Sequence, residues 1–282
     1  MGNPRGFGER MCAITKAALE PPLLMETDHN HGKRVCIFVD GENMRHSIVE
    51  LFPSPVFHEW DYLPKDADWT RFFDWIACEA AGKDAHRVRT YWYVVENLDY
   101  NPYNLNQARK DRILLKQALE RHGPWASDLA LDKTEEERQR RMDKMLTALQ
   151  DNLGKMKGRF EGWNYIQNKI ASDFTAVEFR RAGSIRYNLF DKRLGKEKAV
   201  DVKLAVDLVG LKDIYDVAVI VSGDQDYVPA VETIKDFGKR VVNISFLKED
   251  GYVLPGGAMR LNYATDKGLQ IPHTELRAHL NL

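Results

Sequence analysis

Two carboxylates two residues apart, Asp224 and Asp226, follow an uninterrupted apolar run in VAVIVSGDQDY, and a third, Asp40, closes a similar run in RVCIFVDGEN. Like charges at the end of a buried segment repel, so they need solvent, a neutralising cation or a shifted protonation state. Each close pair costs Coulomb energy in a partly desolvated site, and a cation removes that cost. Oxygen donors alone select a hard ion such as Mg2+ or Mn2+. No nearby His and Cys cluster favours zinc. The phosphate loops GxxxxGK[ST] and GxGxxG are both absent, which argues against a nucleotide-fuelled enzyme or a dehydrogenase.

The elements that must position these residues alternate in type. RVCIFV (34–39), short and rich in branched apolar residues, predicts a strand buried on both faces. NMRHSIVELF follows with helical spacing at Met44, Ile48 and Leu51, and with Asn43 in the position of an N-cap. WTRFFDWIACEAAG (69–82) predicts a helix ended by Gly82, and HRVRTYWYVV (86–95) a second strand, closed by Glu96. Two charged amphipathic runs come next, the second with Met142, Met145, Leu146, Leu149 and Leu153 on one face. TAVEFRRAGSIRY (175–187) reads as a strand. From Ala199 the order is helix, strand VAVIV, helix VPAVETIKDFG and strand RVVNISF. Alternating strands and helices imply right-handed crossovers and a mainly parallel sheet covered on both faces. Ligands of such sheets sit beyond the carboxyl ends of the strands, where Asp40, Glu96, Asp224 and Asp226 would all lie.

The 282 residues suit one large domain with an elaborate insertion, expected over about 98–170, between a tail at 1–31 and a C-terminal extension at 251–282. Three widely spaced cysteines, Cys12, Cys36 and Cys78, form neither a disulfide framework nor a zinc cluster. No apolar run approaches the ~20 residues that span a bilayer, the opening segment lacks a signal-peptide core, and MGNPRG does not complete a myristoylation motif. The expected address is the cytoplasm. The formal net charge of −1 conceals a division: Leu98 to Lys198 holds 21 Lys and Arg against 15 Asp and Glu, +6, which leaves −7 for the remainder. An acidic frame with a basic middle suits a metal-dependent enzyme acting on a polyanion, although solvated charged helices give the same count.

Three blocks, VCIFVDGENMRHSI, KAVDVKLAVDLV and VAVIVSGDQDYVPAVETIKDFGKRVV, resemble in their order the signature blocks of the NYN domain family in its LabA-like branch, related to the PIN-domain nucleases. They span most of the chain from Arg34 to Phe246. The resemblance implies a PIN-like, Rossmannoid three-layer α/β fold whose acidic cluster binds divalent metal, Mg2+ or Mn2+, and cleaves RNA phosphodiester bonds. It carries the ligand and catalytic roles onto Asp40, Asp201, Asp224 and Asp226, with Asn43 beside the first. The implied chemistry is in-line attack of a metal-activated water on phosphorus.

Each residue has a plainer reading. Asp40 can merely turn the chain, Asn43 can cap a helix, and Asp226 can cap the helix that begins near Pro229. Ser222 and Gly223 are expected to shape the turn and hold a neighbouring carboxylate. Asp207 lies six residues after Asp201, about 240° around a helix, so only one of them can be central; Asp207 is the second choice, or a partner for a basic neighbour. Glu96 matches no motif and reads as a solvated turn residue. Lys192, Arg193, Lys196 and Lys198 either hold phosphates beside the site or are simply solvated. Tyr100 and Tyr103 either stack on bases or pack the insertion onto the core. The insertion could guide RNA, cover the site, form a homodimer through its Met and Leu stripe, or fold back on the sheet. Two rival functions remain: a nucleic-acid-binding module that cuts little, and a small-molecule phosphatase, weakened because DGEN departs from the DxDx[TV] nucleophile pattern.

Overall fold

The computed structural model describes residues 32–52, 63–102 and 105–282. The tail at 1–31, with Cys12, and Tyr103 lie outside the described residues.

The first strand, β1 (Arg34–Asp40), is buried along nearly its whole length. Its side chains alternate between two layers: Val35, Ile37 and Val39 enter one apolar cluster, Cys36 and Phe38 the other. Then come α1 (Gly41–Leu51), α2 (Trp69–Ala81) and β2 (His86–Asn101). The insertion supplies α3 (Leu105–Ala108), α4 (Arg112–Glu120), α5 (Gly123–Ala130) and the 39-residue α6 (Glu135–Asp173). The chain continues through β3 (Val177–Asn188), β4 (Arg193–Lys198), α7 (Val200–Gly210), β5 (Val217–Val221), α8 (Val228–Asp236) and β6 (Arg240–Leu247). It ends with β7 (Val253–Leu254), α9 (Ala258–Ala264), β8 (Lys267–Pro272) and α10 (His273–Leu280).

The strands make one sheet in the order β4-β3-β2-β1-β5-β6-β7, with β8 also on β6. All pairings are parallel except β3 with β4 and β6 with β7. Residues of α1, α2, α6 and α10 bury one face, and those of α7, α8 and α9 the other. The expected three-layer α/β fold with a mainly parallel sheet and a helical insertion is therefore the observed one.

Several boundaries differ from expectation. β2 does not end at Glu96 but runs on to Asn101, because β3 pairs with it as far as Asn101↔Asn188. Glu96 is thus an exposed residue within a strand rather than at its end. The insertion folds back on the sheet: Met142, Met145, Leu149 and Leu153 are buried in this chain's own core. That stripe is consequently not free to dimerise. Residues 251–282, expected as an extension, belong to the same compact unit as the rest of 32–282. β8 lengthens the sheet, and the Asp68 N–H donates to the Leu280 carbonyl at 2.9 Å.

The placement of β7 matters most for the site. Phe246 of β6 is paired with both Leu254 and Ile271, so β7 and β8 flank β6 on opposite edges. Ile244 is paired with both Val221 and Leu269, so β8 lies opposite β5. Hence β7 sits on the β5 edge, just beyond the carboxyl end of β5.

Candidate active site

Asp40 ends β1 and is 1% exposed. It, not Asn43, caps α1: its Oδ1 accepts the Asn43 N–H at 3.1 Å, and its Oδ2 accepts the Asn43 side-chain amide. Ser222 donates its hydroxyl to the same Oδ2 at 2.8 Å and accepts the Asp224 N–H at 3.0 Å. The expected supporting role of Ser222 is thus a hydrogen-bonded bridge from the end of β1 to the turn after β5. Gly223 in that turn has no room for a side chain, since a Cβ would meet the Gly256 carbonyl at 2.4 Å. A Cβ on Gly257, at φ +89, would likewise meet the Gly223 carbonyl at 2.7 Å.

Asp224 caps the 3-10 turn Gln225–Tyr227, accepting the Asp226 N–H at 2.9 Å. The helix cap weighed for Asp226 is not made: α8 starts from Tyr227 without a side-chain cap. Asp226 is exposed and lines neither cavity described below. Asp201 lies in the first turn of α7, where its Oδ1 accepts the Tyr227 hydroxyl at 2.9 Å. That buried hydroxyl is also 3.4 Å from Asp40 Oδ2, so Tyr227 stands between the carboxylates of β1 and α7. Asp207 takes the other role weighed for it. It is bound by Arg180, by Lys203 at 2.9 Å and by Tyr93 at 3.1 Å, behind the site.

Asp201 and Asp224 line a cavity of about 440 Å³ with Glu42, Asn43, Lys196 and Glu197. Glu197 and Glu42 were not singled out in the sequence; Glu197 arrives because β4 folds back antiparallel on β3 beside α7. Of the four expected basic residues only Lys196 reaches the cavity lining; Lys192, Arg193 and Lys198 are exposed elsewhere on the hairpin. Tyr100 packs against the core and accepts a hydrogen bond from Asn106, away from the cavity. A cavity of about 510 Å³ bordered by Phe52, Lys248, His273 and Arg277 lies apart from these carboxylates.

The crowding of acids shows in their protonation. Burial pushes Asp40 up to about 6, with Asp201 adding to the effect against the Asn43 and Ser222 donors. Burial, then the charges of Asp40, Glu42 and Asp201, push Glu197 up to about 8. Asp201 is raised by burial and by Asp224 and Asp226, with Tyr227 opposing. Glu42 is the exception: burial would raise it, but the Arg45 and His46 hydrogen bonds outweigh that and hold it at about 2.

These groups offer oxygen donors only, and their mutual repulsion is what a hard divalent cation relieves. Among the described residues, Asp201 and Asp224 each keep one oxygen without a donor, whereas those of Asp40 are engaged. No three carboxylate, histidine or cysteine side chains among the described residues stand close enough to hold one ion. In donor chemistry the site fits such a cation, with Asp201 and Asp224 as the accessible pair.

A mainly parallel three-layer sheet with acids from β1, α7 and the turn after β5 around one cavity defines the class of PIN-like α/β proteins. The family model described as NYN domain matches residues 34–255. The chain belongs to the NYN domain family, whose domains are generally nucleases. No curated protein matches it. Among solved structures it is similar to a protein of unknown function from Vibrio parahaemolyticus, with 14% identity, a TM-score of 0.38, and coverage of 86% of this chain and 94% of that one. No helix among the described residues is long and apolar enough to cross a membrane.

Proposed function

We propose that this protein is a divalent-metal-dependent endoribonuclease. One observation carries the reading: Asp40, Asp201 and Asp224 come from three separate elements and meet through Ser222 and Tyr227 beside one cavity. The three sequence blocks support a place in the LabA-like branch. Asp201 and Asp224, with Asp226 nearby, would hold a Mg2+ or Mn2+, which would supply charge neutralisation and activation of water. Asp40 positions rather than presents itself: it fixes α1 and turns the Asn43 amide, leaving the Asn43 oxygen for a substrate hydroxyl or an ordered water. Tyr227 keeps Asp201 oriented. The test incubates purified protein and total RNA with Mg2+ or Mn2+, or with chelator, and maps the ends produced. Cleavage should require metal and fall to background in Asp201→Asn and Asp224→Asn with the fold retained. Undiminished cleavage in either variant would overturn the site assignment.

A second reading, a binding module that cuts little, is favoured by the engaged oxygens of Asp40 and the missing triad of close ligands. RNA retention without new ends, across metals, is its signature.

A further inference from the structure

The cavity holding Lys196 does not stand alone. A second, of about 370 Å³, is lined by Asn43, Gly223, Asp224, Gln225, Gly256 and Arg260. Asn43, Asp224 and Gly256 line both, so the two cavities adjoin at the carboxyl end of β5. Asp224 is shared by both, Glu42, Glu197 and Asp201 line the first with Lys196 of β4, and Arg260 of α9 lines the second.

Those cations differ from the arginines that the fold ties to carboxylates. Arg34, Arg45, Arg87, Arg89 and Arg180 each hold a carboxylate. Arg260 is exposed and has no carboxylate partner among the described residues; its bond is to the Gln225 side-chain oxygen, at 2.6 Å, beside Asp224. That single contact leaves most of its five donors for a ligand. Lys196 likewise has no carboxylate partner there. Unpaired cations flanking an acidic centre are matched by a ligand with negative charge on either side of the atoms that meet the acids.

The geometry points to a trough that binds the interior of a single RNA strand, with Arg260 anchoring a phosphate on one side of the carboxylates and Lys196 a phosphate on the other. This rests on the ribonuclease reading and deepens it. A trough open along both arms takes a chain from its side and has no need of an end. Arg260 is the residue that sequence reading passed over, because it lies in the segment expected beyond the domain.

Binding of a labelled, unstructured oligouridine to Asp201→Asn protein, titrated with salt, tests the anchors. Arg260→Ala and Lys196→Ala should each lower the slope of log affinity against log salt by about 0.7, and the double variant by about twice that. Arg260→Lys should restore most of the slope, and Lys267→Ala, at the amino end of β8, should leave it unchanged. The wild-type chain should also cut a circular single-stranded RNA. Unchanged slopes in the double variant overturn the proposal while the nuclease reading stands; cleavage confined to RNA with free ends overturns both the proposal and the endonucleolytic part of that reading. No cleavage by wild type together with no oligouridine binding removes both.

Discussion

Tyr227 joins the two acids that no motif joins. Its hydroxyl donates to Asp201 and borders Asp40, and burial first, then the charges of both, lift its own pKa far above the usual phenol range. The proton is therefore always present to donate. Tyr227→Phe leaves Asp201 without its donor and lets the two carboxylates repel across the gap. The expected cost is about 2 kcal/mol in urea unfolding of metal-free protein, with RNA cleavage reduced at unchanged RNA affinity. Equal stability of the variant would mean that the hydroxyl does not serve as this bridge. Asp40 and Asp224 were legible in the sequence because one closes a buried apolar strand and the other lies three residues beyond the end of one. Tyr227 and Glu197 were not: an aromatic inside a turn and a glutamate in a basic stretch carry no local signal, and their roles arise from which elements neighbour them.

At the level of elements, the turn after β5 and the loop after β7 hold each other backbone to backbone. Gly223 and Gly257 leave space only for each other's chains, and Asn243 of β6 adds a tie by donating both to the Ser222 carbonyl at 3.2 Å and to Asn262 of α9 at 2.7 Å. Gly223→Ala puts a methyl against the Gly256 carbonyl, so the loop must move away. The expected result is a loss of about 2 kcal/mol and faster proteolysis within 253–264, with β1 and β5 still protected from hydrogen exchange. Uniform loss of protection would place the strain in the sheet instead. The periodic elements were predictable where apolar spacing was regular, as in β1, β5, α8 and β6. The end of β2 was missed because its last residues, ENLDYN, are polar; they stay extended through pairing with β3, a contact that local sequence does not encode.

Across the whole molecule, depressed carboxylates tie the layers together. The Arg34 hydrogen bonds hold Asp216 below the usual carboxylate range and join the starts of β1 and β5. Burial would raise Asp207, but the Lys203 and Arg180 hydrogen bonds prevail and lower it, fastening α7 to β3. A folded pKa below the unfolded one gives stability that is present above the unfolded value and lost as pH falls through the folded value. Asp40, raised to about 6, is protonated in folded and unfolded chains alike below about pH 4 and adds nothing to that acid limb. Urea midpoints should hence fall as pH drops below about 4. Asp207→Asn should be less stable than wild type at pH near 6 and show a shallower acid limb. Parallel displacement of the two curves would remove Asp207 from this role.

The crossing of the β7 loop over the end of β5 also sets an order of completion. A chain growing from its amino end makes Asp40, Asp201 and Asp224 before it makes Gly256 and Arg260, and β7 can close over β5 only after β6 has paired. For that interval the acids exist without the wall and the cation that turn a cavity into a trough. The trough comes into being only after residue 260 has left the ribosome.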